Sequence, residues 1–442
     1  MGPYVESVTA DEALPVQADV VIIGGGIIGV AAALTLARQG VPVVLCDKGH
    51  IAGEQSSRNW GWVRQCGRDE REMALIVESL RLWRGLDRTI GAATGFSQCG
   101  VLYVVETDAD ERHFSSWLDM ARPYETGARM VTGAELAALM PGAAQRYRSG
   151  LYVPSDGRAE PAKAAPAIAR AAQSLGAKIL ARCAVRGLET KAGRVTAVIT
   201  ERGRIGCNTA ILAGGAWSSL FCASLGIRLP QIKTLSSVLR TAPVAGGPEP
   251  CTWLGNVGYR KRADGGYTIA HGSGHVAPLT PDSFRYFKEF WPSLKREGLA
   301  TRLTFNAQSR FEFSTPRSWT LDAPSPFEAI RVLDPPPNMG LNKTALTAMR
   351  KLYPAFHDVK VEQHWAGYID VAPDVIPYIG ATESLPGLVI ATGFSGHGFG
   401  IGPAAGQLAA EIALGNAPSV DPTAFRVNRF ADGTPIVLGA GL

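Results

Sequence analysis

The sequence predicts an α/β chain built around a parallel sheet, and three observations predict it. The β-branched run Asp19–Ile23 passes directly into glycines and then into an Ala- and Leu-rich stretch. A second apolar run, Val41–Cys46, follows Gly40 and closes on Asp47. Two more, Thr209–Ala213 and Gly387–Gly393, open into glycine-rich segments, as strands do at the carboxyl edge of such a sheet.

Composition narrows the class. The 442 residues amount to about three domains' worth of sequence. Hydrophobic residues at 46% and charged residues at 19% exclude a disordered or low-complexity chain. Glycine and proline follow no regular period, which excludes a collagen-like repeat. A net charge of +5, spread along the chain, points away from nucleic acid and from an anionic lipid surface. Seven cysteines, at 46, 66, 99, 183, 207, 222 and 251, form no C-x-x-C pair. That spacing argues against a disulfide framework or a zinc ribbon, so a reducing, cytoplasmic setting without a metal centre is expected. The opening residues MGPYVESVTADEALP lack the basic and apolar regions of a signal peptide. Val20–Ala37 has the length of a membrane span, but Gly24, Gly25, Gly26 and Gly29 make strand, turn and helix the better reading. No transmembrane segment is expected.

Each element has its own reason. The first run reads as a strand buried on both faces. Gly24, Gly26 and Gly29 then satisfy G-x-G-x-x-G, with Ile28 inside the turn. Gly24 permits the sharp turn, Gly26 leaves room for a pyrophosphate against backbone N–H groups, and Gly29 lets the following helix pack on the strand. That helix stops at Gly40 and offers partial positive charge at its start. Asp47 stands 18 residues beyond Gly29, placed to accept from ribose hydroxyls, with Lys48 beside it. The combination points to a bound dinucleotide.

The loop Gly53–Arg64 is small and polar but carries Trp60, Gly61 and Trp62, which argue against full exposure. Ser56, Ser57 and Asn59 supply hydroxyl and amide groups for an extended cofactor; an ordinary surface loop is the alternative. Segments 73–90 and 284–300 have helical apolar spacing, and Pro154–Gly157 leads into a helix expected near Pro161–Gly176. Residues 101–106, 236–240 and 267–270 read as strands. Short strands from Gly176 to Asn208, including Val185, lead to Thr209–Ser218 with Ala213, Gly214 and Trp217 at its glycine-rich end. Near the C-terminus the turn Phe394–Pro403 holds Gly396, His397, Gly398, Phe399 and Gly400. A helix is expected over Pro403–Leu414, with proline in its first turn and small residues for close packing.

Four stretches, "VVIIGGGIIGVAAALTLARQG", "ILAGGAWSS", "PDVIPYIG" and "GLVIATGFSGHGFGIGPAAGQLAAEIALG", are spread between residues 19 and 415. Through them the chain resembles the FAD-dependent D-amino-acid oxidase superfamily, which includes sarcosine oxidases, glycine oxidases and amino-acid dehydrogenases. The resemblance implies FAD, with its adenine end near Asp47 and its isoalloxazine near the 56–64 loop and the 393–401 turn. It implies a Rossmann-like FAD-binding domain, at about 1–90, 150–228 and 366–442, interrupted by an α+β substrate domain with a mainly antiparallel sheet at about 91–149 and 229–365.

The activity so implied is an FAD-dependent amino-acid or amine oxidase or dehydrogenase. Flavin N5 takes hydride from the carbon beside the amine, and the resulting imine is hydrolysed. Two alternatives stay open: a dehydrogenase of a C–O donor (a hydroxy acid or polyol phosphate), and a flavin-holding subunit of a hetero-complex. The electron acceptor is oxygen or a quinone or carrier, and oligomer formation is left open.

The resemblance also bears on single residues. Amino-acid-oxidising members clamp the substrate carboxylate with an arginine just before "PD..P.IG"; Tyr368 stands there in this chain. Arg64 is the first replacement, because its loop passes the flavin, followed by Arg260, Arg240 and Arg317. Tyr259 is expected to contribute a hydroxyl, and His397 to contact the ring. Thr268 matches the flavin-facing lysine of sarcosine oxidases, with Lys233 as another cation. His271 and His275 are four apart but separated by glycines, so no metal pair is expected.

Overall fold

The first β-branched run forms strand β1 (Val20–Ile23), every residue of it buried. Helix α1 (Ile27–Arg38) and strand β2 (Val43–Cys46) follow as the glycines and Asp47 predict. The computed structural model describes residues 2–272, 276–297 and 301–438. Further along lie α2 (Glu70–Ile90), α3 (Pro161–Ser174), β3 (Lys178–Leu180), β4 (Thr209–Leu212), β5 (Ile232–Thr241) and β6 (Val361–Val371). The last elements of this set are β7 (Tyr378–Ala381), β8 (Leu388–Thr392) and α4 (Gly398–Leu414).

These elements build a mixed α/β fold. One sheet has the order β7-β8-β4-β1-β2-β3. Its β8, β4, β1, β2 and β3 are parallel, and β7 is an antiparallel edge. Burial of both faces explains why β1, β2 and β8 are apolar runs without alternation. A second, larger sheet runs from Arg302–Thr304 through Val276–Pro278, β5, Tyr267–His271, Val257–Lys261, Cys251–Leu254, Val101–Val104 and Ser149–Val153 to Arg129–Thr132, with β6 also pairing β5. Its pairings are mainly antiparallel; Cys251–Leu254 with Val101–Val104 and Val276–Pro278 with Arg302–Thr304 are the parallel exceptions. Residues Val185–Lys191, Arg194–Thr200 and Gly203–Gly206 form a small antiparallel sheet of their own.

Helix α4 departs from the sequence expectation. It begins at Gly398, so Pro403 lies inside it and not in its first turn. Close packing explains the difference. A Cβ on Gly402 would fall 2.7 Å from Ile27, and one on Gly406 would fall 2.5 Å from Ala31 Cβ and 2.7 Å from Ala32 N. Gly402, which read as part of the turn, joins Gly406 on the face where α4 crosses α1. The segment expected to be helical at 284–300 is two helices, Pro281–Arg285 and Phe287–Glu297, and residues 298–300 lie outside the described residues. All seven cysteines are free. Among the described residues no helix is long and apolar enough to cross a membrane, and no group of three or more His, Cys, Asp or Glu is placed to hold a metal ion.

Gly406→Val is expected to destabilise the protein by roughly 1–3 kcal/mol, since the α1 backbone cannot give way. Gly85→Ala, in α2 with nothing within 4 Å of the new methyl, is expected to stabilise it by about 0.5 kcal/mol. Urea denaturation of both variants checks the contrast.

Candidate functional site

The two chain ends meet in one cleft of about 450 Å³. At one end lies the glycine turn. Gly24 has φ +111°, and a Cβ there would strike Ala213 O; a Cβ on Gly29 would strike Gly24 O. The first glycine is needed for conformation, the last for packing. At Gly26 a Cβ would meet only Ser56 Oγ, at 3.0 Å, so this position faces the cleft. No side chain caps α1 at Gly26, and Ile27 N–H donates to Ser56 Oγ (2.8 Å). Asp47 accepts from Gly25 N–H through Oδ2 and from Gly49 N–H through Oδ1, both at 2.7 Å, leaving further lone pairs on a cleft-lining carboxylate. Burial raises its pKa, against the pull of those two amides.

Lys48 spends its ammonium on the wall. It donates to Glu54 Oε1 (2.7 Å) and to the carbonyls of Ile330 (2.8 Å) and Arg331 (3.2 Å), and lies over the Trp217 ring. Trp217 in turn donates its indole N–H to Glu54. The 53–64 loop is held from below by Arg58, which is buried and bonds Asp334 Oδ1 (2.6 Å) and Ala366 O (2.9 Å).

At the other end, the C-terminal turn is tied to the end of β6. Asp370 accepts from Gly393 N–H (2.8 Å), Gln231 Nε2 (3.0 Å) and Thr392 Oγ1 (3.2 Å). Ser395 takes a left-handed φ of +51°, its N–H donating to Asp370 O (2.8 Å) while its Oγ accepts from Ala372 N–H (3.1 Å). Four rings line the wall between the ends. Trp60 stacks on Trp253 (5.9 Å) and meets Trp62 edge-on (5.5 Å), and Tyr103 lies 6.3 Å from Trp62 and 6.2 Å from Trp253.

Beside these rings is a buried charged cluster. His397 Nδ1 lies 2.9 Å from Glu72 Oε2, and Arg68 Nη1 lies 3.9 Å from the same oxygen. Burial alone lifts the Glu72 pKa, but His397 and Arg68 outweigh it and hold the carboxyl below its ordinary range. Burial, then the neighbouring Arg68 charge, push His397 down to about 4 against the pull of Glu72. The ring is therefore neutral, its Nδ1–H donated to the carboxylate. Burial, then Arg64, lower Arg68 to about 10, which leaves it charged. Arg64 donates to Cys66 O and lies over the Tyr103 ring.

Most of the residues expected from the sequence line this cleft: Gly24, Gly26, Ile28, Asp47, Lys48, Ser56, Asn59, Trp60, Gly61, Trp62, Arg64, Val185, Ala213, Gly214, Trp217, Tyr368, Phe394, Gly396, His397, Gly398, Phe399 and Gly400. Gly29 and Gly393 shape the turns from behind. Ser57 turns away, its hydroxyl donating to Glu54 O (3.1 Å). Tyr259 is a core residue, its hydroxyl 2.6 Å from that of Tyr353, and it does not reach the cleft. Tyr368 is buried on β6, and burial pushes its hydroxyl up to about 12.

The replacement arginines other than Arg64 are engaged elsewhere. Arg260 pairs bidentately with Glu160 (2.8 and 3.1 Å), Arg317 lies 2.9 Å from Asp282, and Arg240 lies 3.6 Å from Glu362. Arg240, Arg260 and Thr268 line a second cavity of about 310 Å³. Val238, Ala270 and Trp365 form a small buried cluster with Trp60 packed against it, and Trp365 lines that cavity. Lys233 is bound to Glu312 (2.8 Å). His275 lies outside the described residues.

Arg68, Glu72, Tyr103, Trp253 and Asp370 escaped the sequence reading. The i,i+4 spacing of Arg68 and Glu72 was the available signal, but in "GRDERE" it reads as a solvated charge run.

The FAD-dependent oxidoreductase family model matches residues 19–412 of this chain. The chain belongs to that family. The enzyme's fold is similar to that of the L-amino acid deaminase of Proteus myxofaciens, solved in complex with anthranilate: TM-score 0.93, 32% identity, 98% of this chain and 97% of that one covered. It is 26% identical over 422 residues to sarcosine oxidase subunit beta of Rhizobium meliloti, covering 94% of this chain and 89% of that protein. It is also 26% identical over 428 residues to the formaldehyde-forming 4-methylaminobutanoate oxidase of Paenarthrobacter nicotinovorans, covering 96% of this chain but only 47% of that protein. The chain thus spans about half the length of that relative. FAD is the cofactor of the enzyme, and the cleft fits it. The glycine cradle is open at Gly26, the acid lies beside it, and buried Trp62 Nε1 and His397 Nε2 have no hydrogen-bond partner among the described residues.

In ¹⁵N-histidine NMR, His397 is expected to stay neutral from pH 8 to 5, because its pKa of about 4 lies below the ordinary 6.5. Arg68→Met, which removes the adjacent positive charge, is expected to move that pKa upward.

Proposed function

We propose that this enzyme oxidises the C–N bond of an amino acid or secondary amine. One observation carries the reading: the cleft that starts at Gly24 and Asp47 continues unbroken to Phe394–Gly400, and its wall there holds Arg64, Arg68, Tyr368 and the four rings. In this reading the pyrophosphate lies at Gly24, Gly26 and the start of α1, and the ribose at Asp47. Val185, Ala213, Gly214 and Trp217 wall the adenine half. Residues Ser56–Trp62 and Gly393–Gly400 hold the isoalloxazine. The parallel sheet with its helices corresponds to the FAD-binding part, about 1–90, 150–228 and 366–442, and the larger sheet to the substrate part, about 91–149 and 229–365.

FAD held by the glycine turn, Asp47 and the Phe394–Gly400 turn would supply a two-electron acceptor for oxidation of the carbon beside the amine, and the imine product would be hydrolysed by water. The chain's own residues prepare the substrate for that step. An amine must be neutral for its lone pair to assist loss of hydride. The ring-lined wall removes water from the amine, and the charges of Arg64 and Arg68 oppose an ammonium nearby; both effects favour the neutral form. The fixed wall holds the reacting carbon in place. Similar proteins named for sarcosine oxidation, for 4-methylaminobutanoate oxidation and for L-amino acid deamination support the substrate class.

The purified protein is expected to be yellow, and at least one member of a panel of L- and D-amino acids and N-methyl amines should bleach it without air. Ammonia or amine should appear with the oxidised product. No bleaching across the panel, or bleaching by hydroxy acids with ketone as the sole product, defeats the proposal. Admitting air afterwards distinguishes oxygen from another electron acceptor.

A further inference from the structure

Two of the seven cysteines meet outside the cleft. Cys99 and Cys251 are 152 positions apart in sequence, and their sulfurs lie 3.9 Å apart. Their other contacts are as long: Cys99 Sγ lies 3.6 Å from Gly100 O, and Cys251 Sγ lies 3.9 Å from Gly157 O. Cys99 is half-buried, and the other six cysteines are buried. Cys46 and Cys183 also touch, but neither is open to a reagent.

The strands bring the pair together. Cys251 opens the strand Cys251–Leu254, which runs parallel to Val101–Val104 with Cys251 opposite Val101. Cys251 N–H donates to Gly100 O (3.1 Å). Gly100 has a left-handed φ of +76°, so the chain turns there and sets Cys99 against the neighbouring strand. A disulfide holds its sulfurs about 2 Å apart, so closure asks each side chain to move by roughly 1 Å. The two thiols are also unlike. The hydrogen bond from Cys251 holds Cys99 below the ordinary thiol range against burial, and Arg158 adds to it. Burial, then the contact with Cys99, push Cys251 well above that range. Cys99 is thus the better nucleophile, and Cys251 keeps its proton.

We propose that Cys99 and Cys251 form a reversible redox site that a hydroperoxide closes into a disulfide. The Cys99 thiolate attacks the peroxide and the O–O bond breaks. The sulfur is oxidised to a sulfenic acid, and the departing oxygen takes a proton from solvent and leaves as water or an alcohol. Cys251 then attacks the Cys99 sulfur. An S–S bond forms, the S–O bond breaks, and the released hydroxide leaves as water with the Cys251 proton. A dithiol reopens the bridge and is itself oxidised. The bridge fastens two distant stretches of the chain just ahead of Tyr103 and Trp253, which pair in register across that seam and line the cleft.

The test uses FAD-loaded protein, first reduced with dithiothreitol and then freed of it. A small excess of hydrogen peroxide is expected to remove two of the seven thiols titrated in denaturant, and dithiothreitol should restore them. Non-reducing peptide mass spectrometry should find Cys99 joined to Cys251. Because the bridge closes a long loop, the oxidised protein should unfold at a higher urea concentration, and dithiothreitol should cancel the shift. Cys99→Ser should abolish the joined peptide, the thiol loss and the urea shift together. Cys251→Ala should leave a Cys99 sulfenic acid that dimedone captures. Arg158→Met, which removes the cation beside Cys99, should slow the thiol loss roughly three- to tenfold.

A full set of thiols surviving peroxide overturns the proposal, as does a main joined peptide between any other two cysteines. Loss of two thiols in Cys99→Ser, or a loss that dithiothreitol does not restore, overturns it as well. Should Cys99→Ser fold poorly, Cys99→Ala takes its place. No substrate is turned over in these measurements, so their outcome is separate from that of the bleaching screen.

Discussion

The contact on which the rest depends is the crossing of α1 and α4. Residues near the two ends of the chain meet there through Gly402 and Gly406 against Ile27, Ile28 and Ala31, at distances no side chain permits. The crossing sets the glycine turn ahead of α1 and the His397 turn ahead of α4 on the same cleft. Both helices then begin at one edge of the parallel sheet, where their first-turn amides and fixed dipoles are useful to a long anionic cofactor. Packing and chemistry are thus satisfied by the same small residues.

Around that crossing the polar groups divide into those that hold the wall and those that face the cleft. Lys48, Glu54 and Arg58 tie the 53–64 loop to Ile330–Asp334. Asp370 gathers Gln231, Thr392 and Gly393 under the C-terminal turn. Each is buried or half-buried and bonded to backbone as well as to side chains, the condition under which a buried charge is tolerated. The Arg68–Glu72–His397 cluster leaves one atom of each residue unmet among the described residues, where the wall group leaves only Arg58 Nε, and Arg68 and His397 line the cleft.

The parallel sheet was legible in the sequence because β1, β2, β4 and β8 are short apolar runs bounded by glycine. The glycine-turn end of the cleft was legible for the same reason: Gly24, Gly26 and Asp47 act through backbone geometry that spacing alone encodes. Pro403 misled, since "GHGFGIGP" has the composition of a turn, yet helix α4 already starts at Gly398 and Gly402 packs it on α1. Tyr259 and Arg260 could not be placed in advance. Strand alternation puts them on opposite faces of one strand, and which face meets the cleft depends on partners a hundred or two hundred residues away, such as Glu160 and Trp60. Arg68 was hidden by its neighbours: it opens a run of charges in which Glu70 is exposed and Asp69 and Arg71 are half-buried, and the turn into α2 carries Arg68 inward.

The quartet of Trp60, Trp62, Trp253 and Tyr103 has an optical consequence. Indole emission overlaps the near-ultraviolet absorption of an isoalloxazine, and three of the chain's nine tryptophans face the proposed ring site. Energy transfer over such short separations makes the intrinsic fluorescence dim when the ring is seated and bright once it departs. The wall is therefore its own gauge of cofactor residence, readable without any label.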